Sequence, residues 1–127
     1  MEAVRWYRMA AEKGNDDAMY RLAAMYNNGS GVHIDFAEGS RWNHRAADKG
    51  NKDAMFNLGS QYLMGEGVAK SNEEAYFWFN LSAAASSSSD GLFANMRDIA
   101  ADKLSPDELQ QIQRRCEDWV RAHPKIH

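Results

Sequence analysis

Length, composition and charge indicate one globular domain and argue against nucleic-acid binding and a membrane span. The chain has 127 residues, of which 44% are hydrophobic and 26% are charged, proportions that are ordinary for a globular protein. The net charge of −3 argues against nucleic acid as a partner, because phosphate contacts need a basic surface, and no segment has the roughly 18 apolar residues that a membrane span requires.

The chain repeats itself at an offset of 36 residues. Trp6 is followed at this spacing by Trp42 and Trp78. A fixed period of this length predicts a solenoid, in which neighbouring units bury each other's apolar faces. The other pairs at the same offset include Gly14 with Gly50, Tyr26 with Tyr62, Gly29 with Gly65, and Gly31 with Gly67.

Each unit is predicted to contain two antiparallel helices, A and B, so that the fold is an all-α, α/α solenoid with a C-terminal capping helix. The chain forms a single helical-repeat domain over residues 1–127, with repeats at about 2–35, 36–71 and 72–104 and the cap at about 105–122. In chain order, the helices are expected at Glu2–Lys13, Asp16–Tyr26, Phe36–Lys49, Lys52–Met64, Asn72–Ala85, from a cap at Asp90 to Lys103, and from a cap at Ser105 onward.

Capping signals support these boundaries. Asp35 precedes Glu38 by three residues, and Ser71 precedes Glu74 by three. In such a capping box the first side chain accepts a backbone N–H, and the carboxylate reaches back to the cap. Glycines mark the other junctions: Gly14 and Gly50 separate A from B, and Gly29 and Gly65 follow the B helices, where a left-handed residue closes the last turn.

The recurring residues of helix A share one face. Residues 3, 6 and 10 point the same way, as do residues 39, 42 and 46. The small residues Ala3, Gly39 and Ala75 let helices approach closely, and the tryptophan between them fills the remaining space. We therefore predict that Trp6, Trp42 and Trp78 lie in the core.

The third unit departs from the pattern. The serines at 86–89 indicate a linker, and Ser105, Pro106 and Glu108 open the capping helix. The A helix of this unit is apolar all round at Tyr76–Phe79, so it needs cover on both sides. We favour cover by the last helix over an exposed aromatic patch that binds a partner. The stripe that would pack there is Leu109, Ile112, Cys116, Trp119 and Val120.

One pattern within the repeat runs through Ala18, Leu22, Tyr26, Gly29, Gly31, Val32, Asp35, Trp42, Ala46, Ala47, Gly50 and Ala54. It resembles the Sel-one-like repeat (SLR) family, a relative of the tetratricopeptide repeat. The resemblance covers about residues 2–85, and the segment from Glu74 to Pro106 is similar to the closing segment of bacterial members. It implies a right-handed superhelix whose A helices line the concave side, and a role as adaptor, scaffold or regulator. The family motif is structural, so no catalytic residue is implied.

The A-helix residues opposite the packing face form the candidate binding site. If these helices line the concavity, they form a groove that is basic at one end and aromatic at the other, suited to an acidic or extended segment of a partner protein. A solvated helix face with scattered charges explains them equally well. The residues are Arg5, Arg8, Arg41, His44, Phe77 and Asn80.

Two alternatives to a partner-binding module remain open. A small hydrolase or glycan-binding protein would use the same groove, and a deep pocket around a perturbed His44 or an acidic pair would reveal it. A homo-oligomer would form through the N-terminal end, where Val4, Tyr7 and Met9 have no preceding repeat. We expect no enzymatic activity and no cofactor. We also expect no metal site, since Pro124 lies between His123 and His127, the only closely spaced pair of histidines.

The location of the protein is not determined by its sequence. No signal peptide is visible at the N-terminus, which favours the cytoplasm. The single cysteine, Cys116, cannot form an internal disulfide, so the chain does not have the pattern of a disulfide-stapled secreted domain. A periplasmic or secreted location stays open if the chain is a mature fragment, in which case upstream repeats are missing.

Overall fold

The computed structural model describes residues 2–86 and 91–124. Over these residues the regular secondary structure is helical, with no β-strand, which confirms the predicted all-α class. The helices are α1 (Glu2–Glu12), α2 (Asp16–Asn28), α3 (Phe36–Asp48), α4 (Lys52–Met64), α5 (Asn72–Ala85), α6 (Leu92–Ala101) and α7 (Pro106–Ala122).

The predicted boundaries agree with the structure to within about two residues for most helices. The main difference is α6, which begins after a left-handed Gly91 and has no side-chain cap bond. The predicted cap Asp90 and most of the predicted serine linker lie outside the described residues. Gly29 and Gly65 close α2 and α4 in the left-handed conformation, both with φ of 73°, as predicted.

The starts of the B helices use a cap that the sequence analysis missed. Asn15 and Asn51 each accept a backbone N–H three residues ahead, at 2.9 Å. The Asn51 Nδ2 also donates to the carboxylates of Asp16 and Asp17, at 3.0 and 3.1 Å. One side chain therefore both starts α4 and ties the second unit to the first.

The predicted capping boxes of the A helices form only in part. Asp35 and Ser71 accept the backbone N–H of Glu38 and Glu74, each at 3.1 Å. The two glutamate carboxylates contact arginines rather than reaching back to the cap residues. In α7 the full box is present, because the carboxylate at position 108 accepts the Ser105 backbone N–H at 2.8 Å.

The helices pack in sequence order as a solenoid. Each helix from α1 to α5 packs against the next one, and α7 packs on α5 rather than on α6. The core is built from the facing sides of these helices, and its largest fully buried apolar side chains are Phe79, Met19, Leu22, Met55 and Leu58. Gly59 faces Phe79 so closely that an added Cβ would lie 2.8 Å from two ring carbons.

The three repeated tryptophans do not share one environment. Trp42 and Trp78 are buried as predicted, at 6% and 3% exposure, whereas Trp6 is 64% exposed. The prediction for Trp6 was wrong because α3 packs between α2 and α4, while α1 has α2 as its main neighbour. At the N-terminal end, where no repeat precedes, Val4 is buried, Tyr7 is half-buried and Met9 is exposed.

Helix α7 covers the apolar α5, as the sequence analysis favoured. The residues from Tyr76 to Phe79 are all buried. Gln113 Nε2 donates to the Tyr76 hydroxyl at 3.3 Å, and the Cys116 thiol lies 3.7 Å from the Phe77 carbonyl oxygen. The aromatic segment is therefore part of the core.

No helix among the described residues is long and apolar enough to span a bilayer.

Candidate partner-binding surface

Two of the predicted groove residues contact the repeated tyrosines of their own units. Arg8 donates to the Tyr26 hydroxyl, and its guanidinium lies 5.9 Å from the ring centroid. His44, the equivalent residue of the second unit, has its Nε2 3.5 Å from the Tyr62 hydroxyl. The same link between A and B helices thus occurs in both units, and it holds these two polar side chains half-buried at defined positions.

A glutamate–arginine ion pair occurs in the second and third units, and in the third unit the arginine comes from α7. On α3, Glu38 forms an ion pair with Arg41 one turn later. At the equivalent place on α5, Glu74 has no arginine on its own helix. Instead Arg115 of α7 approaches its carboxylate at 3.1 Å, with the guanidinium 3.9 Å from the ring centroid of Phe77.

Phe77 was predicted to line the groove, and this placement is wrong. Its side chain is 4% exposed, because α7 lies over it and Arg115 stacks on its ring. The aromatic end expected for the groove therefore carries a cation. A signal for this arrangement exists in the sequence: glutamates recur at 2, 38 and 74, arginines follow at 5 and 41, and residue 77 breaks the series.

The other predicted residues are only partly brought together. Arg5 and Arg41 are exposed at equivalent positions of α1 and α3. Asn80 is half-buried in a cleft of about 480 Å³ between α5 and α7, which Cys116 also lines. Burial raises the pKa of the Cys116 thiol, and a hydrogen bond with Asn80 partly offsets this rise. Asn80 is thus half-buried like its equivalents Arg8 and His44, and its part in a partner-binding groove stays a prediction.

Aromatic contacts connect α3, α5 and α7 beneath the charged residues. The His44 ring meets Trp78 edge-on at 5.4 Å, and Trp78 meets Trp119 at 6.5 Å. Trp119 in turn stacks on His123 at 3.8 Å. We define the A-helix surface as the exposed or half-buried side chains of Arg41, His44, Arg115 and Trp119. His44 and Trp119 are held by the ring contacts, and the two arginines by their glutamate partners.

Electrostatics at the A-helix surface are mixed rather than purely basic. The pKa of Tyr62 is raised by burial and by the Glu74 carboxylate, and Arg115 opposes this effect. Both arginines of the surface are ion-paired, yet the Arg41 side chain remains 67% exposed. A bound carboxylate could therefore contact arginines whose orientation is already set by glutamate.

In the part of the chain that the structure describes, no group of three or more His, Cys, Asp and Glu side chains could hold a metal ion. His123 Nδ1 donates to the Trp119 carbonyl oxygen at 2.6 Å, and His127 lies outside the described residues.

Comparison with known families decides the affiliation. The model of the Sel1 repeat matches residues 1–15, 16–51 and 52–87. The chain belongs to the Sel1 repeat family. This confirms the resemblance found in the sequence, and the 36-residue period equals the length of each of the two complete matches. No curated protein sequence matches the chain.

Solved structures of two bacterial Sel1 repeat proteins share the fold. A protective antigen present in uropathogenic Escherichia coli strains, which displays an SLR fold, is 28% identical, with a TM-score of 0.88 over 97% of this chain. A Sel1 repeat protein from Oxalobacter formigenes is 32% identical, with a TM-score of 0.63 over 87% of this chain. The matches span 26% and 69% of those two proteins, respectively. Sel1 repeats form helical protein-interaction modules, which gives the general class of this protein.

Proposed function

We propose that this Sel1 repeat protein binds a segment of a partner protein along its A-helix surface, as an adaptor, scaffold or regulator. A bacterial regulatory or immunity-type role belongs to the same proposal. The observation that carries it is Arg115, which α7 places over Phe77 and against Glu74. A second glutamate-paired arginine thus stands one unit beyond Arg41 on the same side of the A helices.

The chemistry of this surface suits a segment with acidic side chains in an extended conformation. Guanidinium groups bind carboxylates through paired hydrogen bonds, and each charge-assisted bond is worth more than a neutral one. Trp119 and His44 add half-buried aromatic area beside the charges, and aromatic and arginine side chains dominate the energetics of many interfaces. The exposed Arg5 extends the same side of the A helices at α1.

The test is affinity capture from a lysate of the source organism with two matched double variants. Arg41→Gln with Arg115→Gln removes two charges from the A-helix surface. Arg21→Gln with Arg97→Gln removes two charges from α2 and α6, both B helices, and leaves that surface intact. We expect a partner retained by the wild type to be lost with the first variant and kept by the second. Circular dichroism verifies that both variants fold.

The affinity of the captured partner then decides the assignment. Loss of charge-assisted contacts predicts binding about tenfold weaker or more for the first variant, and binding of the wild type should weaken with added salt. Equal affinity of both variants for the partner would contradict the proposed surface.

Two alternatives stay predictions. One is a hydrolase or glycan-binding protein that uses the groove, and the other is a homo-oligomer formed through the N-terminal end.

A further inference from the structure

The second unit contains a buried network of amide side chains. Asn43 and Gln61 are 0% and 4% exposed, and Asn43 Nδ2 donates to Gln61 Oε1 at 3.1 Å. Gln61 Nε2 makes two long hydrogen bonds of 3.4 Å, one to Asn27 Oδ1 and one to the carbonyl oxygen of Phe36. Asn43 Oδ1 is buried without a hydrogen-bond partner in the structure.

The other units show that the fold does not need this network. At the 36-residue offset, Asn43 corresponds to Tyr7 and Phe79, and Asn27 corresponds to Leu63. Burying a polar side chain costs free energy unless its hydrogen bonds are satisfied. The first and third units fill the position of Asn43 with an aromatic ring, and Leu63 fills that of Asn27. Packing alone therefore gives no reason for amides at these places.

A glycine makes room for the network. An added Cβ at Gly39 would overlap the Asn27 side-chain amide. The equivalent residues of the other units are Ala3 and Ala75, so glycine occurs only in the unit where an asparagine packs at this point. Compared with the third unit, the second unit has glycine in place of alanine on its A helix, and the preceding B helix has Asn27 in place of leucine. The two differences fit each other, because the missing methyl group leaves space for the amide.

The network forms part of the wall of a cleft between α2 and α4. The cleft has a volume of about 400 Å³, within the range of about 300–1,000 Å³ typical of small-molecule sites. Apart from Phe36 at the start of α3, its helical lining residues belong to the B helices α2 and α4, and none of them belongs to the A-helix surface. The lining includes Tyr20, Asn27, Phe36, Asn57, Gln61 and Glu66.

The chemistry of the lining selects a neutral polyhydroxyl ligand. The Gln61 amide is already hydrogen-bonded within the network. Asn28 and Asn57, which also line the cleft, each carry a side-chain donor and an acceptor, which match the hydroxyl groups of a sugar. Tyr20 and Phe36 offer aromatic rings against which the C–H face of a sugar can pack. The lining contains one carboxylate, that of Glu66, and no cationic side chain, so it does not favour an anion. We propose that this cleft binds a neutral carbohydrate of one or two sugar rings.

Nuclear magnetic resonance tests the proposal at the side chains concerned. The side-chain amide signals of Asn27, Asn57 and Gln61 are followed in the full chain during titration with maltose, cellobiose or diacetylchitobiose at millimolar concentration. We expect a saturable shift of these signals with at least one disaccharide. Asn57→Leu should weaken that binding by about tenfold, because an amide that contacts the ligand is lost. Asn95→Leu on α6 is the matched control and should bind as the wild type does.

Three results would overturn the carbohydrate assignment. One is the absence of a saturable shift with all three disaccharides. Another is equal binding by the Asn57→Leu and Asn95→Leu variants, which would place the ligand elsewhere. The last is a saturable shift with a neutral hexapeptide of alternating Gly and Ser but none with the sugars, which would assign the cleft to a peptide main chain. The spectrum of each variant verifies that it is folded.

Discussion

Trp6 and Trp42 form a matched pair that tests the packing of the solenoid. They occupy the same place in successive units, yet Trp42 is 6% exposed and Trp6 is 64% exposed. Arg45 also stacks on the buried indole, with its guanidinium 4.5 Å from the ring centroid. Replacing each tryptophan by alanine therefore makes the same chemical change in two environments, and only packing distinguishes the results.

The expected magnitudes follow from burial. Deleting a large buried side chain costs the lost transfer free energy and a cavity term, together about 3–5 kcal/mol for Trp→Ala. An exposed side chain away from special contacts changes stability by about 0.5 kcal/mol or less. With a urea m value of about 2 kcal/mol/M, Trp42→Ala should lower the unfolding midpoint by about 2 M. Trp6→Ala should leave the midpoint nearly unchanged.

Urea unfolding followed by far-ultraviolet circular dichroism measures both variants, because the signal reports helix content and does not depend on the removed indole. Trp78→Ala serves as a second buried case and should behave like Trp42→Ala, since Trp78 is 3% exposed. Equal midpoints for the Trp6 and Trp42 variants would refute the packing described for α1 and α3.

Three further predictions concern other parts of the core and its caps. Gly59→Ala should destabilise the fold by about 1–3 kcal/mol, since the new Cβ would lie 2.8 Å from the Phe79 ring in a packed core; a thermal melt measures this. Ser105→Ala should cost about 1 kcal/mol, because the bond to the Glu108 N–H at 3.1 Å is lost; an unchanged melt would contradict the capping role. Cys116 should resist iodoacetamide in the folded protein and react after unfolding, because burial raises the pKa of its thiol. Since the thiol of the unfolded chain ionises at lower pH than the buried thiol, the free energy of unfolding should fall as pH rises above about 8.5.

Local signals in the sequence predicted the helices well. The starts of α3, α5 and α7 follow from Asp35, Ser71 and Ser105, which cap them in the structure. The ends of α2 and α4 follow from Gly29 and Gly65. These features depend on residues within one turn of each other, so the sequence contains all the information that they need.

Features that depend on neighbouring elements were harder to predict. The repeat makes Trp6 and Trp42 equivalent, but burial depends on which helices flank each one. Likewise the position of Phe77 in its unit indicated an exposed residue, whereas the path of α7 buries it. Periodicity describes the contacts between units and contains no information on where a non-repeating helix packs.

The candidate site was predicted in part for the same reason. Arg41 and His44 belong to the repeating helix and are exposed and half-buried, respectively, and their role in binding stays a prediction. Arg115 was missed, since it comes from α7 and meets Glu74 only after long-range packing. The amide network around Gln61 was also missed, because its residues lie on α2, α3 and α4, at sequence offsets that the repeat does not produce.

Hydrogen exchange of the complex with a captured partner tests the central claim most directly, because it locates the bound surface without any mutation. The account predicts slower exchange in α3, α5 and α7 on binding, with α2 and α4 unchanged. Protection confined to α2, α4 or α6 would contradict it and would place the partner on the B helices.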